Sequence, residues 1–225
     1  MLDVLALSPH PDDAELCCGG LIAKMSGKGY RIGIVDLTKG ELGTEGTGKT
    51  RMQEASKAAE ILGVEIRENM DLGDCKLSSG YDDAKRLADL IRQYRPSVLI
   101  APYGDEHHPD HAASRRLTDK AVFFATLTKI QTRHEIHQVG VVAYYMLHQS
   151  FDPSFVVDVT ECYGKKLEAI KAYKSQMGLM LGLEGLLKSI GLRDQFYGLR
   201  VGVKHGEPFF CHAPLKLDDP VAFFR

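Results

Sequence analysis

Leu2 Asp3 Val4 Leu5 Ala6 Leu7, followed at once by Ser8 Pro9 His10 Pro11 Asp12 Asp13 Ala14 Glu15, decides how the rest of the chain is read. The first six residues form an apolar run that reads as a buried strand, and the next eight read as a turn opening a segment of helical period. A histidine and two adjacent carboxylates at the carboxyl end of a first parallel strand stand where open α/β sheets put their chemistry. Neighbouring carboxylates repel, and one of them resists ionising. A bound divalent cation removes that conflict.

A metal site needs further ligands, and the chain supplies them about a hundred residues on, at His107 His108 Pro109 Asp110 His111. Catalytic zinc usually takes three protein ligands from His, Asp and Glu and leaves its fourth position to water. His10, Asp13 and one histidine of the second cluster complete such a set. Taken alone, Pro-Asp-Asp also reads as a turn with a helix N-cap, because Asp is favoured there and in the first helical turn. The two clusters together point to the metal.

The bulk numbers narrow the class. At 225 residues the chain fits one domain, 1–225, large enough to bury a full core without disulfide staples. It is 44% hydrophobic and 26% charged, with a formal net charge of −2 and a sequence pI near 6.5. That balance offers no basic field for nucleic acid or an anionic membrane, so a small-molecule substrate is expected. The five cysteines, at 17, 18, 75, 162 and 211, include no CxxC pair, which argues against a disulfide framework and a structural zinc knuckle. They suit a reducing cytoplasm. No apolar run approaches the ~20 residues of a membrane span, and no secretory leader is apparent at the N-terminus.

Along the chain the pattern predicts a helix over 13–28, a strand over 31–37, and a glycine-rich loop over 38–50. A helix over 51–62 follows, stopped by Gly63 as a left-handed C-cap. Further strands are expected over 64–72, 97–101, 139–146 and 155–159, and helices over 81–94, 112–124 and 161–174. Strand and helix alternating at this spacing imply a parallel sheet covered on both faces. Gly19 and Gly20 are expected to allow close packing, since glycine otherwise weakens a helix interior. Met177 to Leu192, apolar with four glycines, is expected to be a lid or an oligomer contact, and Gly198 to Phe210 is expected to be extended.

Gly43 Thr44 Glu45 Gly46 Thr47 Gly48 Lys49 Thr50 matches the Walker A phosphate-loop pattern, which makes a P-loop nucleotide-binding protein the rival from another class. Against it, the loop follows the second strand rather than the first. Glu41 and Glu45 also put negative charge where a polyphosphate would lie.

The paired clusters, His10 Pro11 Asp12 Asp13 Ala14 Glu15 and His108 Pro109 Asp110 His111, resemble the signature of the PIG-L or LmbE-like zinc deacetylases. These enzymes remove acetate from N-acetylglucosamine in glycoconjugates. Leu37 Thr38 Lys39 Gly40 Glu41 Leu42 Gly43, with Arg51 and Glu54 opening the next helix, is similar to the family's second loop and accounts for the Walker lookalike. The resemblance runs from residue 2 to about 175. It implies a Rossmann-like, three-layer α/β fold with a mainly parallel sheet and a C-terminal α/β extension, the loops after strands one and four lying side by side. It also implies a cytoplasmic homo-oligomer, trimer or hexamer, acting on a small N-acetylglucosaminide.

Carried over residue by residue, His10, Asp13 and His111 match the family's ligands for Zn2+, or another divalent metal such as Fe2+. Asp12 matches its general base, His108 its electrophile facing the oxyanion, and Asp110 the partner that holds the His108 imidazole. Arg51 is expected to contact substrate, because a guanidinium grips hydroxyls or a carboxylate in forked geometry. Val201 Gly202 Val203 Lys204 His205 Gly206 Glu207 Pro208 Phe209 is similar to the tail of the branch that deacetylates N-acetylglucosaminyl malate in bacillithiol synthesis. A general deacetylase of other N-acetylglucosamine compounds is the alternative. His134, His137, His148 and His205 read as solvated or core histidines, and Cys17 and Cys18 as packing residues.

Overall fold

The computed structural model describes residues 1–104, 106–176, 182–216 and 218–219. Its elements are β1 (Val4–Ser8), α1 (Asp13–Gly27), β2 (Ile32–Asp36), α2 (Gly48–Leu62), β3 (Ile66–Asn69), α3 (Tyr81–Tyr94), β4 (Val98–Pro102) and α4 (Pro109–Thr126). They continue with β5 (Val141–Tyr145), β6 (Phe155–Asp158), α5 (Tyr163–Lys171), α6 (Gly182–Arg200) and β7 (Gly206–Phe210). The seven strands form one sheet in the order β3-β2-β1-β4-β5-β7-β6. The first five are parallel, and β7 runs antiparallel to both β5 and β6.

Every residue of β1 and β2 is buried, as expected of parallel strands covered on both faces. Alternate residues feed two cores. Leu5, Leu7, Val35, Leu99 and Tyr144 pack with α3 and α4 on one face. Val4, Ala6, Ile34, Ile100 and Tyr145 pack with α1, α2 and α5 on the other. Because β4 pairs directly with β1, Val4 against Val98, the loops that leave their carboxyl ends meet at the sheet's switch point. The sequence-derived positions of the clusters on strands one and four therefore stand.

Helix α1 is broken at Cys18 (φ −137°, ψ 17°). Helices break where a polar group enters the ladder of backbone bonds, and here side chains from the C-terminal part of the chain enter it. The Glu207 carboxylate accepts from the Gly20 and Leu21 N–H groups at 2.8 and 2.7 Å. Arg193 donates to the Leu16 carbonyl at 2.6 Å. The Lys166 ammonium, fully buried, donates to Asp194 at 2.6 Å and to Glu207 at 2.7 Å, and Arg193 donates to the other Asp194 oxygen. Burial works against the Lys166 charge, yet Glu207 and Asp194 hold its pKa above the ordinary value. Gly20 is required at the break: a Cβ there would lie 2.7 Å from Val159 and 2.9 Å from the Glu207 carboxylate.

One expectation fails in the C-terminal third, and another falls partly outside the described residues. Of Met177 to Leu192, residues 177–181 lie outside those described, and the rest is the first half of α6. Gly198 to Arg200 are helical rather than extended, so only Gly206–Phe210 is strand. Glycines at 182, 185, 191 and 198 masked the helix. Gly198 serves as a contact residue, since a Cβ there would come 2.8 Å from the Val203 carbonyl. Cys17 and Cys18 are buried in the core, as read from the sequence. No helix among the described residues is long and apolar enough to cross a membrane.

Removing one member of a buried charge group leaves its partners unpaired, at a cost of about 3–5 kcal/mol. Glu207→Ala should lower the unfolding free energy by that amount in urea titration. A loss below about 1 kcal/mol, the common size for a point change, would mean that packing alone holds the break in α1.

Candidate metal centre

The turn after β1 is fixed by its own backbone. The Ser8 hydroxyl donates to the His10 carbonyl at 2.6 Å and accepts from the Ala14 N–H at 3.1 Å. The Thr38 N–H and hydroxyl both donate to the Pro9 carbonyl. Asp12 is held at φ 123°, ψ −31°, a conformation that side-chain-bearing residues adopt only under constraint. Three contacts from Arg51 supply that constraint. Its guanidinium donates to the Pro11 carbonyl at 2.7 Å, to Asp12 Oδ2 at 3.1 Å and to the Gly40 carbonyl at 3.2 Å. Gly40 has φ +61°, and a Cβ there would overlap the guanidinium at 2.0 Å.

Three donor atoms form a triangle. His10 Nδ1 lies 3.2 Å from Asp13 Oδ2 and 3.3 Å from His111 Nε2, and His111 Nε2 lies 3.4 Å from Asp13 Oδ2. A tetrahedral ion with zinc-like bonds of 2.0–2.2 Å requires ligand atoms about 3.3–3.6 Å apart. The triangle fits that requirement. On its far side His10 Nε2 meets Asp110 Oδ2 at 3.1 Å and Asp74 Oδ1 at 3.3 Å, so with a cation in the triangle the ring proton would sit on Nε2 and Nδ1 would be the nitrogen turned to the ion. All three ligand side chains are buried.

The electrostatics describe a site short of positive charge. Burial opposes a charged His10, yet hydrogen bonds to Asp110 and Asp13 hold its imidazole up to about 10. The His111 imidazole is also raised against its burial, chiefly by Asp13. Asp13 is held well below the carboxylate range, against its own burial, by His111 and His10. Burial pushes Asp12 up to about 7, with Arg51 opposing and Asp13 adding to the rise. Protons thus fill the place that a divalent cation would take, a further sign that the donor set fits one.

His108 is the N-cap of α4, and its Nδ1 accepts from the Asp110 backbone N–H at 3.2 Å. Burial and the neighbouring His10 and His111 push its pKa below the ordinary value. A neutral His108 accepting at Nδ1 carries its proton on Nε2, as a donor. Its ring centroid lies 4.7 Å from those of both His10 and His111. His107 is exposed and makes none of these contacts.

Two expected roles change. Asp110 does hold His108, but through its backbone N–H; its carboxylate serves His10 and accepts from the Cys75 and Leu77 N–H groups at 2.7 and 3.2 Å. Arg51, expected to face substrate, is buried at 5% exposure, its guanidinium turned onto Asp12 and the loop carbonyls. The Walker-like loop has no phosphate cradle around its lysine: Lys49 stands exposed in the first turn of α2, and Thr47 caps that helix.

Other residues enter that the spacing did not single out. Asp74 follows a glycine turn and is aligned by the Leu42 N–H, while Glu41 accepts from the Asp74 N–H. His148, read as solvated, stacks on His111 with ring centroids 5.4 Å apart and pairs with Glu106 at 3.3 Å. Glu15, buried in the first turn of α1, accepts from Arg67 and from the Tyr173 hydroxyl, and Arg67 also grips Asp36. A single chain shows these only as isolated acidic or histidine residues, because their partners lie far away in sequence.

Residues 5–122 match the model of the PIG-L family, described as GlcNAc-PI de-N-acetylase. A diacetylchitobiose deacetylase of Thermococcus kodakarensis is 31% identical over 221 residues, covering 91% of this chain and 80% of that one. A 4-oxalmesaconate hydratase of Pseudomonas putida is 31% identical over 76% of this chain and 73% of its own. A probable N-acetyl-alpha-D-glucosaminyl L-malate deacetylase 2 of Bacillus cereus is 29% identical over 79% of this chain and 85% of its own. Among solved structures, the conserved protein TT1542 of Thermus thermophilus superposes with a TM-score of 0.92 at 36% identity, covering 98% of both chains. With its paired histidine and aspartate clusters at the switch point of a mainly parallel sheet, this chain belongs to the PIG-L family of metal-dependent deacetylases.

Proposed function

We propose that the protein is a zinc-dependent hydrolase that removes acetate from the amide of an N-acetylglucosaminide. The observation that carries the reading is the triangle of His10 Nδ1, Asp13 Oδ2 and His111 Nε2, whose edges of 3.2–3.4 Å suit a tetrahedral ion. Bound there, such an ion lowers the pKa of water and polarises an amide carbonyl.

The remaining steps belong to the chain's own groups. Asp12, off the triangle but next to it, takes the proton of the attacking water on its carboxylate. Arg51 keeps that carboxylate aimed and stops it from turning onto the metal ligands. His108 donates from Nε2 to the amide oxygen as the carbon becomes tetrahedral, a contribution of ~3 kcal/mol in comparable acyl-transfer sites. Asp12 then returns its proton to the departing amine. Asp110 orients His10 with its carboxylate and His108 with its N–H, which couples the metal side of the site to the oxyanion side.

For the aglycone, a neutral saccharide is the better-supported partner. The malate reading drew on Arg51 and on the 201–209 tail, and both have internal partners: Arg51 pairs with Asp12, and Glu207 with Lys166 and the α1 amides. What supports malate is the likeness to the Bacillus cereus relative. The disaccharide deacetylase of Thermococcus matches over more of the chain. Acetate release from N-acetylglucosamine, diacetylchitobiose and N-acetylglucosaminyl malate tests the choice. The disaccharide should match or exceed the malate conjugate in kcat/KM; a malate preference of ~10² or more, about 2.7 kcal/mol, would restore the malate branch. The hydratase relative shares the fold and offers addition of water to a carbon–carbon double bond as the rival. No acetate from any of the three substrates would favour it.

The site assignment has its own test. Elemental analysis should find about one divalent ion per chain, lost in His10→Ala, Asp13→Ala and His111→Ala. Full occupancy in those variants would remove the triangle from the mechanism. Asp12→Asn should keep the ion while kcat falls by ~10² to 10⁴, the usual contribution of a general base. Asp110→Asn acts on His10, so it should weaken metal affinity by ~10- to 100-fold. A purely kinetic defect with unchanged metal affinity would return its carboxylate to His108.

A further inference from the structure

The loop from Gly73 to Leu77 lies over the metal centre and carries a thiol that the reaction above does not use. It is pinned by backbone groups, the Cys75 and Leu77 N–H donating to the Asp110 carboxylate. Cys75 adopts φ +58°. Glycine takes that left-handed conformation freely, whereas a residue with a Cβ is disfavoured there by about 1–2 kcal/mol. The bond to Asp110 needs no side chain, so the backbone alone would be better served by glycine. The side chain present is exposed, and its Sγ, an Asp74 carboxylate oxygen and a His108 ring nitrogen all lie within 4.8 Å of one another.

We propose that Asp74, Cys75 and His108 form a second metal site, at the mouth of the His10–Asp13–His111 centre, which takes a thiophilic divalent ion and shuts the enzyme when filled. Sulfur, nitrogen and oxygen donors from three residues make a set that zinc or cadmium accepts, with water completing the shell. On binding, the Cys75 thiol releases its proton to solvent and coordinates as thiolate. Asp74 can turn from His10 to such an ion without leaving His10 unpartnered, because Asp110 Oδ2 still accepts from His10 Nε2 at 3.1 Å. To coordinate, His108 gives up the bond from the Asp110 N–H and moves its ring proton to Nδ1, so that Nε2 becomes the coordinating atom. That is the atom assigned to the amide oxygen, so the ion and the substrate exclude each other. The inhibitory half of the proposal rests on that assignment; the binding half does not.

The test uses the full chain carrying one zinc per molecule, titrated with cadmium chloride. The primary centre has no sulfur ligand, so an ultraviolet thiolate-to-cadmium band reports only a cysteine site. The band should saturate near one equivalent and vanish in Cys75→Gly, which relieves the strained backbone and keeps the N–H that Asp110 needs. Cys75→Ser, with the same backbone strain and no thiol, should lose the band as well. Excess zinc should inhibit acetate release by the unmutated enzyme. In Cys75→Gly the inhibitory zinc concentration should rise by at least ~10-fold, the lower end of what even an outer partner of a metal ligand contributes, with activity in the absence of added zinc unchanged. Equal bands in all three proteins would overturn the site. A Cys75-dependent band with equal zinc inhibition in the two enzymes would overturn the block at His108 and leave the binding site in place. Absence of acetate release altogether would fall on the function proposed above, and the band would still decide the metal site.

Discussion

Four carboxylates, Asp12, Asp13, Asp74 and Asp110, converge on the His10 imidazole or its neighbours, and the region around them must keep that negative charge where water cannot neutralise it. Proximity of like charges at this density is unfavourable in a buried site. The chain answers it in three ways. The N-termini of α1 and α4 both open at the site, so their partial positive ends face the carboxylates. Backbone N–H groups of Cys75, Leu77 and Leu42 donate to Asp110 and Asp74. Arg51 neutralises Asp12 and so separates it from the group that the cation serves. The remaining imbalance is gathered at one triangle of donor atoms, whose spacing and charge suit a divalent ion.

Helix α1 transmits this arrangement to the rest of the fold. Its first turn carries Asp13 and Glu15, and its middle is opened at Cys18 to admit Glu207 and Arg193 from β7 and α6. Glu15 meanwhile ties the same helix to Arg67 of β3 and to Tyr173 after α5. The helix is therefore fixed in rotation at its first turn and its middle by buried ionic contacts rather than by apolar packing alone. Contacts of that kind demand precise geometry, because a misplaced partner leaves a charge buried and unmatched. The C-terminal part of the chain thus bears on the site without reaching it: it sets the helix on which Asp13 is mounted.

What the sequence revealed and what it hid follow the same division between local and distant partners. The strand Val4–Ser8, the helix Tyr81–Tyr94 and the left-handed Gly63 cap are written in periodicity and in single residues, and the structure matches them closely. The meeting of the two histidine and aspartate clusters was legible because each half is compact and lies beside a strand end, and adjacency of β1 and β4 brings the halves together. The burial of Arg51 was hidden because a helix's first turn is usually exposed, and nothing local discloses that Gly40, 11 residues earlier, leaves room for its guanidinium. The roles of Asp110 depend on which atom is counted, since its N–H and its carboxylate act on different histidines. The tail at 201–209 looked like a substrate signature, yet its acidic residue is a buried partner of Lys166. Helix α6 was hidden by glycines, one of which is needed for close contact with the turn before β7.

Backbone strain separates two kinds of residue around the centre. Among the described non-glycine residues, Asp12 and Cys75 both hold positive φ, and both border the donor cluster. Their constraints differ. Asp12 is clamped through its own side chain and the carbonyl before it, by Arg51, so its strain is inseparable from where its carboxylate points. Cys75 is clamped through its N–H to Asp110, and its thiol adds a contact to the neighbouring Asp74 alone among the carboxylates of the centre. At Asp12 the surrounding contacts make the unusual backbone the way to aim a carboxylate across the entrance while the next residue faces His10 and His111. At Cys75 the same cost is met with no return from the side chain beyond its contact to Asp74, and the chemistry available to that side chain is what distinguishes it from the glycine that would fit the loop with less strain.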